Sequence, residues 1–188
     1  MARLILASGS PRRKALLLQL GLSFDVLSPD IDESVKPKEI AQDYVARLAQ
    51  EKAHLVWQQF PDATVIAADT CLAVDAEIIG KPENKQHAFE IWSKLSGRYH
   101  DVLTGVCVMN DSNIQVEVVQ TRVEFQILTP SDMENYWATG EPVGKAGGYA
   151  IQGIAARFIP RIDGSYTNVV GLPLHETAAL LKAINALN

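Results

Sequence analysis

The chain has 188 residues, 47% hydrophobic and 21% charged, which is enough apolar material for one generous domain, residues 1–188, or two small lobes, with a real core. A formal net charge of −5 excludes general nucleic-acid or acidic-membrane binding, so any anion site must be local, built from a few convergent cations. Two distant cysteines outside zinc-type spacing, and no apolar run near the ~20 residues of a bilayer span, predict a soluble cytoplasmic protein without a signal peptide.

The stretch LILASGSPRRKALLLQLG, residues 4–21, opens with a short apolar strand, Leu4 to Ala7, broken by Ser8 and Gly9. Ser10 followed by Pro11 is a helix-start pair, with the hydroxyl as cap and proline at the first helical position. Leu16, Leu17 and Leu20 form the apolar face and Gly21 the stop. Arg12 and Arg13 therefore fall in the first helical turn, where unpaired N–H groups and the helix dipole are already positive. A phosphate there would reverse the problem, shared between backbone N–H groups and both guanidinium groups. Solvation of the two arginines is the plainer alternative.

Residues 23–29 read as a second strand and DIDESVKPKE as a polar loop. A helix follows from about Glu39 to Phe60, with Ala41, Val45, Leu48 and Val56 on one face and Lys52 on the same stripe. TVIAADTCLAV is a buried strand interrupted by Asp69 and Thr70, and AEIIGKP completes a hairpin ending in a Gly-Lys-Pro turn. ENKQHAFEIWSKLSG is a helix closed by Gly97, and two long strands follow, HDVLTGVCVM and IQVEVVQTRVEFQIL. The second is expected to carry a bulge or bend where its alternation changes phase. Thr129, Pro130 and Asp132 start another helix. The Gly-rich GEPVGKAGGYAIQG then leads through FIPRIDGSYTNVVGLP to a C-terminal helix from about Leu174 to Leu187. Helices interleaved with hairpins predict an α/β fold on a mixed sheet.

Several residues stand where their chemistry demands a reason. Asp69 interrupts a core strand, and a buried carboxylate must be paired, protonated or bound to a metal. Such a group suits a general base, and a neighbouring divalent cation would suit a phosphate substrate. Lys52, Lys81 in its turn and Lys145 in the Gly-rich segment can each be solvated, yet with Arg12 and Arg13 they could cradle a triphosphate. Glu33 could hold a metal, or be a solvated loop acid. Gln152 offers one amide that can meet both the N–H donor and the carbonyl of a uracil or thymine edge, and Thr70 could add a polar contact. The four histidines show no metal-ligand spacing.

In order along the chain, LILASGSPRR, the DES acid, RLAQEKA, AADT, GKP, LSG, GKAGGYAIQG and GSYTNVVGLP resemble the motifs of the Maf-type nucleoside triphosphate pyrophosphatases. The resemblance spans Leu4 to about Leu174. It implies an inosine-triphosphatase-like fold, a twisted mixed sheet flanked by helices, with two lobes and a cleft between them. It implies hydrolysis between the α- and β-phosphates, to a monophosphate and pyrophosphate, with Mg²⁺, Mn²⁺ or Co²⁺. Carried over by position, Asp69 is the proton acceptor and a metal ligand with Glu33, while Ser8, Arg12, Arg13, Lys52, Lys81 and Lys145 hold substrate. Arg12, Thr70 and Gln152 match the dTTP/UTP pyrophosphatase branch; the 7-methyl-GTP branch has Trp, Gln and Glu there. Gly144 and Gly148 depart from the usual Asp and Ala. A homodimer is implied by the resemblance alone. Two alternatives remain: a nucleotidyltransferase, and a nucleotide-binding regulator of cell division with little turnover.

Overall fold

The computed structural model describes residues 3–187. β1 (Leu4–Ala7) leads through the Ser8-Gly9-Ser10 turn into α1 (Pro11–Leu18), where the Ser10 hydroxyl accepts from the Arg13 backbone N–H, as its cap position predicts. β2 (Asp25–Leu27) and α2 (Ala41–Trp57) follow, then β3 (Thr64–Val74), β4 (Glu77–Ile79) and α3 (Lys85–Leu95). β5 (Tyr99–Met109), β6 (Ile114–Glu124) and α4 (Pro130–Ala138) come next, α4 starting in the expected Thr129–Asp132 capping box. After two 3-10 turns, 146–148 and 154–158, the chain closes with β7 (Arg161–Asp163), α5 (Tyr166–Val170) and α6 (Leu174–Ala183).

One mixed sheet runs in the order β2-β1-β3-β5-β6-β7, with β4 also paired to β3. β1 lies parallel to β3 and ends at the pair Ala7↔Ala67; β4 rejoins the same edge of β3 only at Leu72↔Ile79. Residues 68–71 of β3 therefore pair with β5 alone, and the sheet is open beside them. Alternation assigns the two faces. Leu6, Ile66 and Val106 meet α1 and α6 on one face, whereas Ile5, Ala7, Val65 and Ala67 meet α2 on the other. Asp69 continues the second set and Thr70 the first, so neighbouring residues at the opening serve opposite faces.

Four expectations are corrected. The β5–β6 register is unbroken from Tyr99↔Glu124 to Met109↔Ile114, so β6 carries no bulge. Its phase change arises because Val116 and Val118 pack toward α2 while Thr121 and Val123 turn to the other face, where Val123 joins Trp92 and Leu95 of α3. The second strand shrinks to 25–27, being an exposed edge, and GSYTNVVGLP contains α5 where no helix is expected. α2 starts at Ala41 because Glu39 is engaged by Arg47 and by the Lys36 N–H.

α2 approaches the sheet closely at Gly105, where an added Cβ would stand 2.3 Å from the Val45 carbonyl oxygen. Gly105→Ala is expected to lower stability at the upper end of about 1–3 kcal/mol, since the obstacle is backbone and cannot rotate away. Urea unfolding of the variant against the parent reads this directly.

Trp92 and Leu95 belong to a second packed region, between α3, α4 and the ends of β5 and β6, and His100 lies at its side, 2% exposed. Its Nε2 is 2.6 Å from the Tyr149 hydroxyl, and burial pushes its pKa down from 6.5 to about 4. Below pH 6.5 the unfolded chain takes up a proton that the folded chain refuses, so stability falls with falling pH through this window. One unit below 6.5 the loss is about 1.4 kcal/mol. Unfolding midpoints at pH 7 and 5.5 should show it, and His100→Gln should flatten the difference.

Candidate active site

A cavity of about 710 Å³ opens where β3 is unpaired, and its wall includes every residue singled out from the sequence: Ser8, Arg12, Arg13, Glu33, Lys52, Asp69, Thr70, Lys81, Lys145 and Gln152. The topology explains the gathering. Parallel pairing of β1 with β3 delivers Ser8 and the N-terminus of α1 to the level of Asp69. Packing of α2 across the other face delivers Lys52 to the same strand.

Lys52 is the centre of the acidic half. Its Nζ lies 2.5 Å from Asp69 Oδ1 and 2.6 Å from Glu33 Oε1. Lys52 and Asp69 are each 7% exposed, which answers why a lysine sits on an apolar helical stripe: it neutralises a carboxylate set into a core strand. Burial pushes the Glu33 carboxyl up, but hydrogen bonding and charge from Lys52, with Lys81 and Arg13 adding charge, bring it below its ordinary value. The loop carrying Glu33 is tied to α2: the Tyr44 hydroxyl donates to the Glu33 carbonyl and Arg47 donates to the Ser34 carbonyl and to Glu39. The Arg47 hydrogen bond holds Glu39 at about 2 despite the opposing effect of burial. Tyr44 and Arg47 escape a reading of the sequence, although their spacing along α2 places them one turn apart beside that loop.

Arg13 anchors the basic half. Its Nε donates to the Gly171 carbonyl (2.8 Å), Nη1 to Ser8 Oγ (3.3 Å) and Nη2 to Thr70 Oγ1 (3.0 Å). Burial lowers its pKa from the ordinary arginine value, against the charges of Asp69 and Glu33. The Thr70 hydroxyl is shared further with Thr104 Oγ1 at 2.9 Å, and Thr104 reaches the Asn168 carbonyl. Thr70 thus spends its hydroxyl on Arg13 and Thr104. Sequence reasoning could not see that arrangement, because Arg13 and Gly171 stand 158 positions apart.

Arg12 shares α1 with Arg13, whereas Lys81 and Lys145 come from two other segments. Gly147 donates its N–H to the Gly80 carbonyl, and its own carbonyl accepts from Trp92 Nε1, so the Gly-Lys-Pro turn and the Gly-rich segment are docked together. Gly147 takes φ +65, a conformation that favours glycine, and a Cβ there would stand 2.3 Å from Leu72 Cδ2 and displace it. Lys145 Nζ turns back to the Glu141 carbonyl at 2.5 Å, while Lys81 and Gln152 are exposed.

The family model for Maf-like proteins matches residues 3–184. The chain belongs to the Maf-like family. It is 64% identical over 183 residues to a protein of Acinetobacter baylyi named dTTP/UTP pyrophosphatase, covering 97% of this chain and all of that one. Proteins of the same name from Colwellia psychrerythraea and Escherichia coli O157:H7 are 48% and 47% identical, covering 95% and 100% of this chain and 87% and 95% of theirs. Among solved structures, a HAM1 protein from Coxiella burnetii aligns with a TM-score of 0.50 at 17% identity, over 66% of this chain and 73% of that one. That likeness places the Maf-like chain in the inosine-triphosphatase-like fold expected from its sequence.

The donor set of this Maf-like site fits a divalent cation carried in with a phosphate substrate. Among the described residues no group of three His, Cys, Asp or Glu side chains could hold a metal alone. Glu33 and Asp69 nevertheless face each other across one ammonium group. Magnesium-like ions commonly use one or two carboxylates and take their other ligands from substrate phosphates and water. Among the described residues no helix is long and apolar enough to cross a membrane.

Proposed function

We propose that this protein hydrolyses dTTP and UTP between the α- and β-phosphates, releasing the nucleoside monophosphate and pyrophosphate. The observation that carries the reading is a single cavity lined by a lysine-paired carboxylate, two arginines and two further lysines. The chain's likeness to relatives named for that activity names the substrates. In the reaction, water attacks the α-phosphorus, its proton passes to Asp69, and the bond from that phosphorus to the bridging oxygen breaks. The leaving pyrophosphate needs cations, and Arg12, Arg13, Lys81 and Lys145 would supply them from two sides of the cavity. Ser8 and Thr70 fix the Arg13 guanidinium by accepting its N–H groups. Glu33 and Asp69 would hold Mg²⁺, Mn²⁺ or Co²⁺, whose positive charge offsets that of the phosphates. Gln152 would read the pyrimidine edge, its side chain being exposed at the cavity wall. We further propose that the protein acts as a homodimer on free nucleotides in the cytoplasm, which light scattering and cell fractionation would test.

A pyrophosphate-release screen over the common nucleoside triphosphates, with each of the three metals, decides the main point. Release from dTTP and UTP above the purine nucleotides and without a second substrate supports the proposal. Binding without turnover, or turnover only when an alcohol or sugar phosphate is added, overturns it.

A further inference from the structure

The segment from Glu141 to Ala155 bears Lys145 and Gln152 and forms much of one cavity wall, yet it contains no α-helix or strand to hold its shape. Its middle is pinned by Gly147 to Gly80 and Trp92. Its two ends are closed by one side chain. The Glu141 carboxylate accepts from the Ile154 N–H at 2.7 Å, from the Ala155 N–H at 3.2 Å and from the Tyr136 hydroxyl at 2.7 Å. Gly153 lies against it so closely that a Cβ would stand 2.2 Å from Glu141 Oε2. The same residue's carbonyl receives Lys145 Nζ. Glu141 thus binds the start of the segment to its end, from both its side chain and its backbone.

We propose that Glu141 is a positioning residue for nucleotide recognition: its carboxylate clamps the loop so that Gln152, one residue before Gly153, meets the base at a fixed place. The proposal rests on the pyrophosphatase reading above and deepens it. Asp69 on β3, Lys52 on α2 and Arg13 on α1 lie outside the segment, and Lys145 within it is held by the Glu141 backbone carbonyl, which a side-chain substitution leaves in place, so the clamp bears on binding and base choice. Two N–H donors and one hydroxyl converge on the carboxylate, and charge-assisted bonds of this kind are the stronger ones. Glutamine in its place can still accept from Ile154 and donate to the Tyr136 oxygen, losing the longer bond to Ala155. Alanine loses all three.

The test compares Glu141→Ala and Glu141→Gln with the parent, each shown to be folded by its thermal melt. Steady-state kinetics with dTTP, dCTP and dATP should show KM for dTTP raised at least about tenfold in the alanine variant, with kcat held within about twofold. Its preference for dTTP over the other two should shrink by a similar factor, and the glutamine variant should recover most of both. A kcat loss that tracks the melting temperature, with KM and preference unchanged, is what a purely structural role gives and overturns the proposal. Amide hydrogen exchange separates this idea from the reading beneath it. Exchange at Ile154 and Ala155 should quicken in the alanine variant while β3 and β5 stay protected. If the parent releases no pyrophosphate from dTTP or UTP, the pyrophosphatase reading falls and the base-recognition role falls with it. Unchanged exchange at those two amides removes the clamp itself, whatever the parent's activity.

Discussion

Asparagine in place of Asp69 is expected to lower turnover with dTTP by about 10²- to 10⁴-fold, the contribution of a positioned general base. The substitution keeps the shape and leaves an oxygen to accept from Lys52 Nζ, so the fold should survive. An amide side chain there cannot take the proton of the attacking water at neutral pH. Pyrophosphate release, with a thermal melt as control, checks both halves of the expectation. Turnover within about threefold of the parent would remove Asp69 from the proton-transfer step.

The second large effect is expected in stability as well as rate. Lys52→Met strips two carboxylates of the ammonium they share, and leaves Asp69, 7% exposed, as an uncompensated charge. Breaking a buried pair by removing one partner costs about 3–5 kcal/mol. The discount for solvent applies to the Glu33 arm, whose side chain is 46% exposed, so most of the loss should come from Asp69. Urea denaturation with a metal chelator present, and without nucleotide, reads the cost. Adding Asp69→Asn to Lys52→Met should restore most of the stability and none of the turnover. A double variant as unstable as the single one would show that Lys52 acts by packing its stem and not by its charge.

Much of this site is legible because each residue breaks a local rule. A carboxylate inside TVIAADTCLAV, a lysine on the stripe of Val45, Leu48 and Val56, and two arginines at a helix N-terminus are anomalies that a chain read alone displays. Helix boundaries marked by side chains are equally plain, as at Ser10 with Pro11 and at Thr129 with Asp132. What stays hidden depends on distant partners. The polar path from Arg13 through Thr70 and Thr104 to Asn168 joins residues from four elements, and no spacing in the sequence links them. Glu141 reads as one more acid in a Gly-rich run, because two of its three partners are backbone N–H groups, which every residue but proline possesses. The phase change of β6 is visible in the sequence, where a bulge accounts for it as well as a change of face does. The unbroken register with β5 removes the bulge, and the packing of α2 against one half and α3 against the other accounts for the change of face.

The unpaired edge of β3 has a consequence for how such a protein can change over time. Ser8, Arg13 and Lys52 come from the end of β1, α1 and α2, Asp69 from β3 itself, and Lys81, Lys145 and Gln152 from the docked pair of loops that hangs on β4 and α3. With no ladder of backbone bonds from β1 or β4 at residues 68–71, drift in the loop pair transmits little distortion to the Asp69–Lys52 pair. The loop side chains can in this way be exchanged a few at a time while the pair at the centre of the cavity is inherited intact.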